Sequence, residues 1–310
     1  MILRYDHLSR FPKVFQVMTG LRLAEFDDLL TDVLPRFGAA ETERLTRAER
    51  QRAIGGGHPF DLTPRDQTLL TVVWLRRYPI HEVLGFLFDV SDSTVSRYIR
   101  RVLPLLEAAG RATMRLPDPG RKQRRQLDDL LKETPELAVV IDSFEQRVQR
   151  PRTRSEADPY YSGKKKQHTL KSQIAVDEIT GAIVDVADSV PGPTADITLL
   201  EQSKLLDRLP EGVGALGDLG YVGIAKLHPH GQGATPRKKP RGQPRPPEDV
   251  AFNTAFAKRR IVVEHSILRV RYFQALTQTD RNHRQQHTAR VVAVAGLVNR
   301  QIRHRLPAAC

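Results

Sequence analysis

The sequence predicts a mixed α+β protein, an all-helical N-terminal region followed by a mixed sheet flanked by helices. Three observations point there. Apolar residues recur at helical spacing up to about residue 109. From Leu137 they fall instead into short continuous or alternating runs of strand length. Between these regimes, Arg111 to Arg125 carries Pro117, Pro119, Gly120 and the basic run Arg121-Lys122-Gln123-Arg124-Arg125, as a linker would. The expected domains are residues 1–120 and residues 121–310.

The elements follow in order. From about Val14 to Phe37 two short helices are expected, with Leu21, Phe26, Leu29, Leu30, Val33 and Leu34 at helical spacing. Gly55-Gly56-Gly57 breaks the chain, and Thr63-Pro64 reads as a helix start, Thr as the N-cap and Pro at the first helical position. Helices are expected over Pro64 to Arg77, Ile80 to Phe88 and Asp92 to Ala109, and a short one near Gln126 to Lys132. Leu137 to Ile141 is a continuous apolar run that closes on Asp142, as a central strand would. His168 to Asp177 alternates, and Ala182 to Val190 follows the Thr180-Gly181 turn, which suggests an antiparallel meander. Asp196 to Leu209 is amphipathic, and Val213 to Asp218 is a further strand, again ending in Asp. Pro236 to Pro247 lacks periodicity and reads as an exposed basic loop. Long helices are expected over Asn253 to Phe273 and from about Gln286 to Arg303.

Composition narrows the function. Of 310 residues, 40% are hydrophobic, enough for a buried core. Lys and Arg number 49 against 36 Asp and Glu, a formal charge of +13, which favours a polyanionic partner. The single cysteine, Cys310, excludes disulfide frameworks and Cys-rich zinc sites. No apolar run has the length of a membrane span, and Met1 to Asp6 lacks a signal-peptide core, so a cytoplasmic protein without a membrane partner is expected.

The unit from about Ile80 to Leu106 has the outline of a helix-turn-helix, whose second helix enters the DNA major groove by its N-terminal residues. Those residues are Ser91, Ser93, Thr94, Ser96 and Arg97, with Arg100 and Arg101 further along. Ser91 suits the N-cap. Hydroxyls and guanidinium groups suit phosphates or base edges. An ordinary helical hairpin with a wet polar face gives the same pattern.

Asp142, Asp218 and Glu264 stand on three separate elements. If the strands carrying the two aspartates lie side by side, their carboxylates meet at one sheet edge, and a helix packed on that sheet brings Glu264 to them. Clustered carboxylates repel unless cations bridge them. Mg²⁺ takes oxygen ligands and shares them with phosphate, and two such ions stabilise the attacking and leaving oxygens of a phosphoryl transfer. Singly, each acid has an ordinary explanation: a turn residue, or a helix-surface acid beside Arg260 or Arg271.

From about Phe15 onward the chain resembles the bacterial DDE transposases of the insertion-sequence-five group. The resemblance rests on Val140-Ile141-Asp142-Ser143 with Gln149-Arg150-Pro151, on Tyr160-Tyr161-Ser162-Gly163-Lys164-Lys165-Lys166-Gln167-His168-Thr169-Leu170-Lys171, on Gly217-Asp218-Leu219-Gly220-Tyr221, and on Arg260-Ile261-Val262-Val263-Glu264. It implies a ribonuclease-H-like catalytic domain behind a helix-turn-helix. It implies Asp142, Asp218 and Glu264 as catalytic and metal-binding residues for two Mg²⁺ ions, with Mn²⁺ as a substitute, Asp142 bridging both. The reaction implied is hydrolysis at the element's ends followed by attack of the exposed 3′-hydroxyls on target DNA. The family's Arg with three residues between it and the Glu falls on Arg260, and its basic residue with six between falls on Arg271. Ser143 stands where the family often has Gly, Ala195-Asp196 where it often has His-Asp, and Ala257 where related groups have Tyr.

Lys164, Lys165, Lys166 and Lys171 flank the second strand and are expected to contact the DNA backbone, as are Arg237, Lys238, Lys239, Arg260 and Arg271. The partner expected is double-stranded DNA, both element ends and target, in the nucleoid of a bacterium. Synapsis of two ends calls for a homodimer or larger assembly on DNA. A catalytically silent DNA-binding derivative, or a ribonuclease-H-like nuclease acting on RNA or hybrids, remains an alternative from sequence.

Overall fold

The computed structural model describes residues 3–46, 60–120, 126–127, 129–151 and 153–306. The Gly55-Gly56-Gly57 break, the Arg121 to Arg125 run, Met1, Ile2 and Cys310 lie outside the described residues. The chain forms two compact units, one of residues 1–113, 272–278 and 292–310, the other of 114–271 and 279–291.

The first unit is helical: α1 (Tyr5–Leu8), α2 (Pro12–Thr19), α3 (Leu23–Leu45), α4 (Pro64–Arg77), α5 (His81–Phe88) and α6 (Asp92–Arg111). Thr63 caps α4, its hydroxyl accepting the Asp66 N–H at 3.1 Å with Pro64 at the first position. α4 is buried along nearly all its length and forms the centre of this unit. The two short helices expected between Val14 and Phe37 are instead the eight-residue α2 and the 23-residue α3, which runs through Pro35. Gly20, at φ +79°, makes the left-handed end of α2.

α5 and α6 form the helix-turn-helix. Asp89 takes a left-handed conformation at φ 52°, and Gly85 lets the turn close, since a Cβ there would lie 2.5 Å from the Val90 carbonyl oxygen. Ser91 caps α6 by accepting the Thr94 N–H at 3.2 Å. Its hydroxyl also lies 3.0 Å from that of Ser93 and donates to Thr94 Oγ1 at 2.9 Å. Val95, Ile99, Val102 and Leu106 are buried, which leaves Ser91, Ser93, Arg97 and Arg100 exposed at the start of α6 and Thr94 and Ser96 half-buried.

The C-terminal residues do not all group with the sheet. Residues 272–278 and 292–310 group with the helices. The reason is burial. In the last helix, α12 (His287–Arg303), Val292 to Val298 are buried, Gly296 packs against Gly110, and buried Arg300 pairs with Asp28 and Asp32.

The second unit is built on a seven-stranded sheet among the described residues: β1 (Ala138–Arg147), β2 (Tyr161–Ser162), β3 (Gln167–Asp177), β4 (Ile183–Val186), β5 (Val190–Pro191), β6 (Gly214–Leu216) and β7 (Gly233–Ala234). The order is β2-β3-β1-β6-β7, with β4 and β5 also on β3. β1 pairs antiparallel with β3 from Val139↔Asp177 to Arg147↔Thr169 and parallel with β6. The connecting helices are α7 (Arg154–Ala157), α8 (Asp196–Ser203), α9 (Leu205–Arg208), α10 (Ile224–Leu227) and α11 (Pro247–Arg271). Leu200, Leu205, Leu206 and Leu209 pack with Val139, Ile141, Ala215 and Tyr221 into one core, while α11 lies against β1 and β3. A helix-turn-helix followed by a mixed sheet with helices matches the expected ribonuclease-H-like architecture.

Four details differ from the expectation. The strand expected over Ala182 to Val190 is two short ones, and the helix expected over Asp196 to Leu209 divides at Lys204, which sits at φ 54°. The helix expected near Gln126 to Lys132 is a 3-10 turn, Asp129–Leu131. β7 is too short to show alternation and escaped the sequence reading. Among the described residues, no helix is long and apolar enough to cross a membrane.

Candidate active site

Asp142 does not close its strand. β1 runs on to Arg147 because β3 continues to pair with it, Asp142 opposite Ile174. The other side of β1 differs: β6 pairs only from Ala138↔Gly214 to Val140↔Leu216. Two residues further along each chain stand Asp142 and Asp218, at the carboxyl end of the parallel pair, where open α/β sheets bind ligands. The chain turns away from β6 immediately, since Asp218 Oδ1 accepts the Gly220 N–H at 2.8 Å and starts a 3-10 turn over Leu219–Tyr221. Gly217 is required there: a Cβ on it would stand 2.6 Å from that of Tyr221.

α11 supplies Glu264. Phe252, Phe256, Arg259, Val263, Ser266 and Val270 form its buried stripe at helical spacing. Arg259 fixes its register, donating to Glu178 at 2.7 and 2.6 Å, to Thr134 Oγ1 at 2.6 Å and to the Pro135 carbonyl at 2.7 Å. Ser266 donates to the Gly181 carbonyl at 2.8 Å. Glu264 is thereby exposed on a cavity of about 330 Å³ that Asp142, Ser143, Glu145, Lys164, Lys165, Lys171, Asp196 and Arg271 also line. Asp142 and Glu264 thus share one cavity, and Asp218 acts on Asp142 through its charge. Among the described residues, no three His, Cys, Asp or Glu side chains are gathered closely enough to hold an ion together.

The sequence matches known proteins. The family model described as DDE superfamily endonuclease matches residues 141–299, half of the chain. The chain belongs to the DDE superfamily endonucleases. The helix-turn-helix of DDE superfamily endonuclease matches residues 60–112. A relative from Microchaete diplosiphon, described as a probable transposase for insertion sequence element IS702, is 28% identical over 258 residues, 83% of this chain and 88% of that protein. No solved structure matches.

The electrostatics of this DDE endonuclease site favour a cation. Burial pushes the Asp142 carboxyl up to about 6 from 3.8, and the charges of Asp218 and Asp196 push the same way, against the Ser143 N–H at 2.8 Å and the Arg260 guanidinium. Arg260 stands 3.8 Å from Asp142 Oδ2. Tyr221 is fully buried, and burial, then the charges of Asp196, Asp142 and Asp218, hold its phenol well above the usual range. Its hydroxyl approaches Ser143 without closing a hydrogen bond of good geometry. Hard carboxylate oxygens, one of them costly to ionise without a counter-charge, suit a divalent cation by their chemistry.

The remaining expected site residues divide. Lys164, Lys165 and Lys166 are exposed, the first two on the cavity. Lys171 is a correction: it is buried, and its ammonium donates to Asp196 Oδ1 at 2.8 Å and to the Thr194 carbonyl at 2.5 Å, because β3 points it inward beneath α8. Arg260 likewise faces Asp142 rather than solvent, whereas Arg271 lines the cavity. Arg237 is engaged with Asp249 at 3.2 Å and with the Phe252 ring, while Lys238 and Lys239 are exposed. Sequence reasoning does not single out Asp196; its one signal is its place in Ala195-Asp196, where the family often has His-Asp.

Proposed function

We propose that this DDE endonuclease is an insertion-sequence transposase of the insertion-sequence-five group, binding element ends through α6 and cleaving and joining DNA at the Asp142 cavity. The support is the shared cavity of Asp142 and Glu264, the parallel pairing that directs Asp218 toward Asp142, and the likeness to the Microchaete diplosiphon protein.

In this reading Asp142, Asp218 and Glu264 would hold the divalent cations. When bound, those ions activate the attacking oxygen and stabilise the leaving one. The chain's own residues bind and orient the DNA. Lys164 and Lys165 on the cavity, and Lys166 beside them, supply positive charge to a phosphodiester backbone. Arg271 suits a two-bond grip on a phosphate. Hydrolysis breaks a P–O bond at the element's end and leaves a 3′-hydroxyl; that hydroxyl then displaces a 3′-oxygen in the target strand. A dimer or larger assembly would bring two ends together.

The test is cleavage of DNA carrying the inverted repeats that flank the gene, with Mg²⁺ or Mn²⁺. Asp142→Asn, Asp218→Asn and Glu264→Gln are each expected to lose cleavage by on the order of a thousandfold or more while shifting the same DNA in gels. Retained cleavage removes that residue from the site. A wild-type chain that binds the ends without cutting them supports instead a silent DNA-binding derivative.

A further inference from the structure

We propose that Asp196 is a fourth acidic residue of the centre, a positioning residue that joins the strand edge carrying Asp142 to the turn carrying Asp218 and tunes how tightly the site holds a divalent cation. The inference rests on the reading of Asp142, Asp218 and Glu264 as cation ligands.

Asp196 is the first residue of α8, and its two oxygens do different things. Oδ1 accepts the Ser143 hydroxyl at 2.7 Å and the Lys171 ammonium at 2.8 Å. Ser143 follows Asp142 on β1, and Lys171 comes from the neighbouring β3, so one oxygen atom ties α8 to both central strands. Lys171 is buried, and an ammonium held in place against a carboxylate keeps that oxygen from turning elsewhere. Oδ2 lies on the other side. A Cβ built on Gly220 would stand 2.6 Å from Asp196 Oδ2 and 2.9 Å from Asp218 Oδ1, so these two carboxylate oxygens flank the same glycine. A side chain at residue 220 would force one of these carboxylates to shift.

A second observation makes this more than an acidic cluster. The Tyr221 hydroxyl is fully buried, makes no hydrogen bond of good geometry, and lies where the charges of Asp196, Asp142 and Asp218 all act on it. Leaving a buried hydroxyl unpaired is unfavourable, so a donor kept among three acids suits a ligand of those acids, a hydrated divalent cation. Outer partners of this kind change metal affinity by roughly 10- to 100-fold.

The experiment uses the full chain without DNA and Mn²⁺ as the probe, with bound ion read from loss of the free Mn²⁺ paramagnetic resonance spectrum. Cleavage against Mn²⁺ concentration is measured alongside. Asp196→Asn, which keeps shape and can still accept from Ser143, is expected to raise the Mn²⁺ midpoint in both assays by about tenfold or more. DNA affinity is expected to stay near wild type, while the melting temperature falls, because the buried Lys171 ammonium loses its counter-charge. An unchanged midpoint in a folded Asp196→Asn protein overturns the inference. Should that variant unfold, Asp196→Glu takes its place: a shifted midpoint supports the inference and an unshifted one overturns it. Asp142→Asn is the control. If it loses Mn²⁺ while Asp196→Asn keeps it, only the role of Asp196 falls; if Asp142→Asn binds Mn²⁺ as wild type does, the triad reading itself falls.

Discussion

Arg259 and Glu178 form a buried ion pair closed by two hydrogen bonds of 2.7 and 2.6 Å, the guanidinium on α11 and the carboxylate just after β3. Arg259 lies in the stripe that seats α11 on the sheet, so this pair sets the height at which Glu264 meets the cavity. Removing one partner strands the other charge in the interior, which costs about 3–5 kcal/mol. Arg259→Ala is therefore expected to lower the melting temperature sharply, and Arg259→Met with Glu178→Leu to recover most of the loss. Thermal unfolding of the two proteins measures it. An Arg259→Ala protein as stable as wild type would show that the apolar stripe alone seats the helix.

Asp142 carries a pH signature in the metal-free protein. Its carboxyl is held near 6 in the fold against 3.8 in a free chain. Between those values the native state keeps a proton that the unfolded chain has released, so stability declines as pH rises from about 4 to 6 and stays lower above. Asp142→Asn removes the charge. It is expected to be more stable than wild type by about 2 kcal/mol at pH 7.5, with the gain shrinking toward pH 4.5. Denaturant titrations at the two pH values check it, and a gain that does not depend on pH would point away from ionisation as its cause. Added Mn²⁺ is expected to erase the difference, since it stabilises only the wild type.

His287 works in the opposite direction. Burial, then the Arg290 charge, push its imidazole down to about 4, with Asp280 opposing. Nε2 faces Gln146 Oε1 at 2.8 Å and Nδ1 faces the Ser189 hydroxyl at 2.7 Å, partners that a neutral ring satisfies, Nε2 donating and Nδ1 accepting. Below 6.5 the unfolded chain takes up a proton that the folded ring refuses, so stability is lost as pH falls from about 6.5 to 4. The His287 ring resonance is expected to keep its neutral shift at pH 5.5, where a free imidazole is charged. A His287 inflection near 6.5 would contradict the buried neutral ring.

The helix-turn-helix offers a test that does not involve cleavage. Arg97 and Arg100 are exposed near the start of α6. If each neutralises a phosphate, replacing either by Ala lowers the slope of log affinity against log salt by about 1. Filter binding across a salt series measures that slope. Gly85→Ala, whose new Cβ would press on the Val90 carbonyl, is expected to destabilise the turn by about 1–3 kcal/mol and weaken binding.

Much of the architecture was legible because it is local. Thr63-Pro64 starts α4, and Ser91 caps α6, through bonds made within a few residues of themselves. Strand and helix periods separate the two regions because a side chain's direction follows from its own backbone. The apolar run before Asp142 and the short one before Asp218 marked both strands for the same reason, although β1 proved longer than its apolar part. Its extension through Gln146 and Arg147 depends on β3 lying beside it.

Residue types, their order and the spacing of the four motifs were enough to point to the DDE superfamily and to name Asp142, Asp218 and Glu264 as candidates. The fold selected the company they keep. It withdrew Lys171 from solvent and paired it with Asp196, set Arg260 beside Asp142, and put the end of α12 with the N-terminal helices. Each of those outcomes joins residues far apart in the chain. Such partners are chosen by strand order and helix packing, which the immediate neighbours of a residue do not encode.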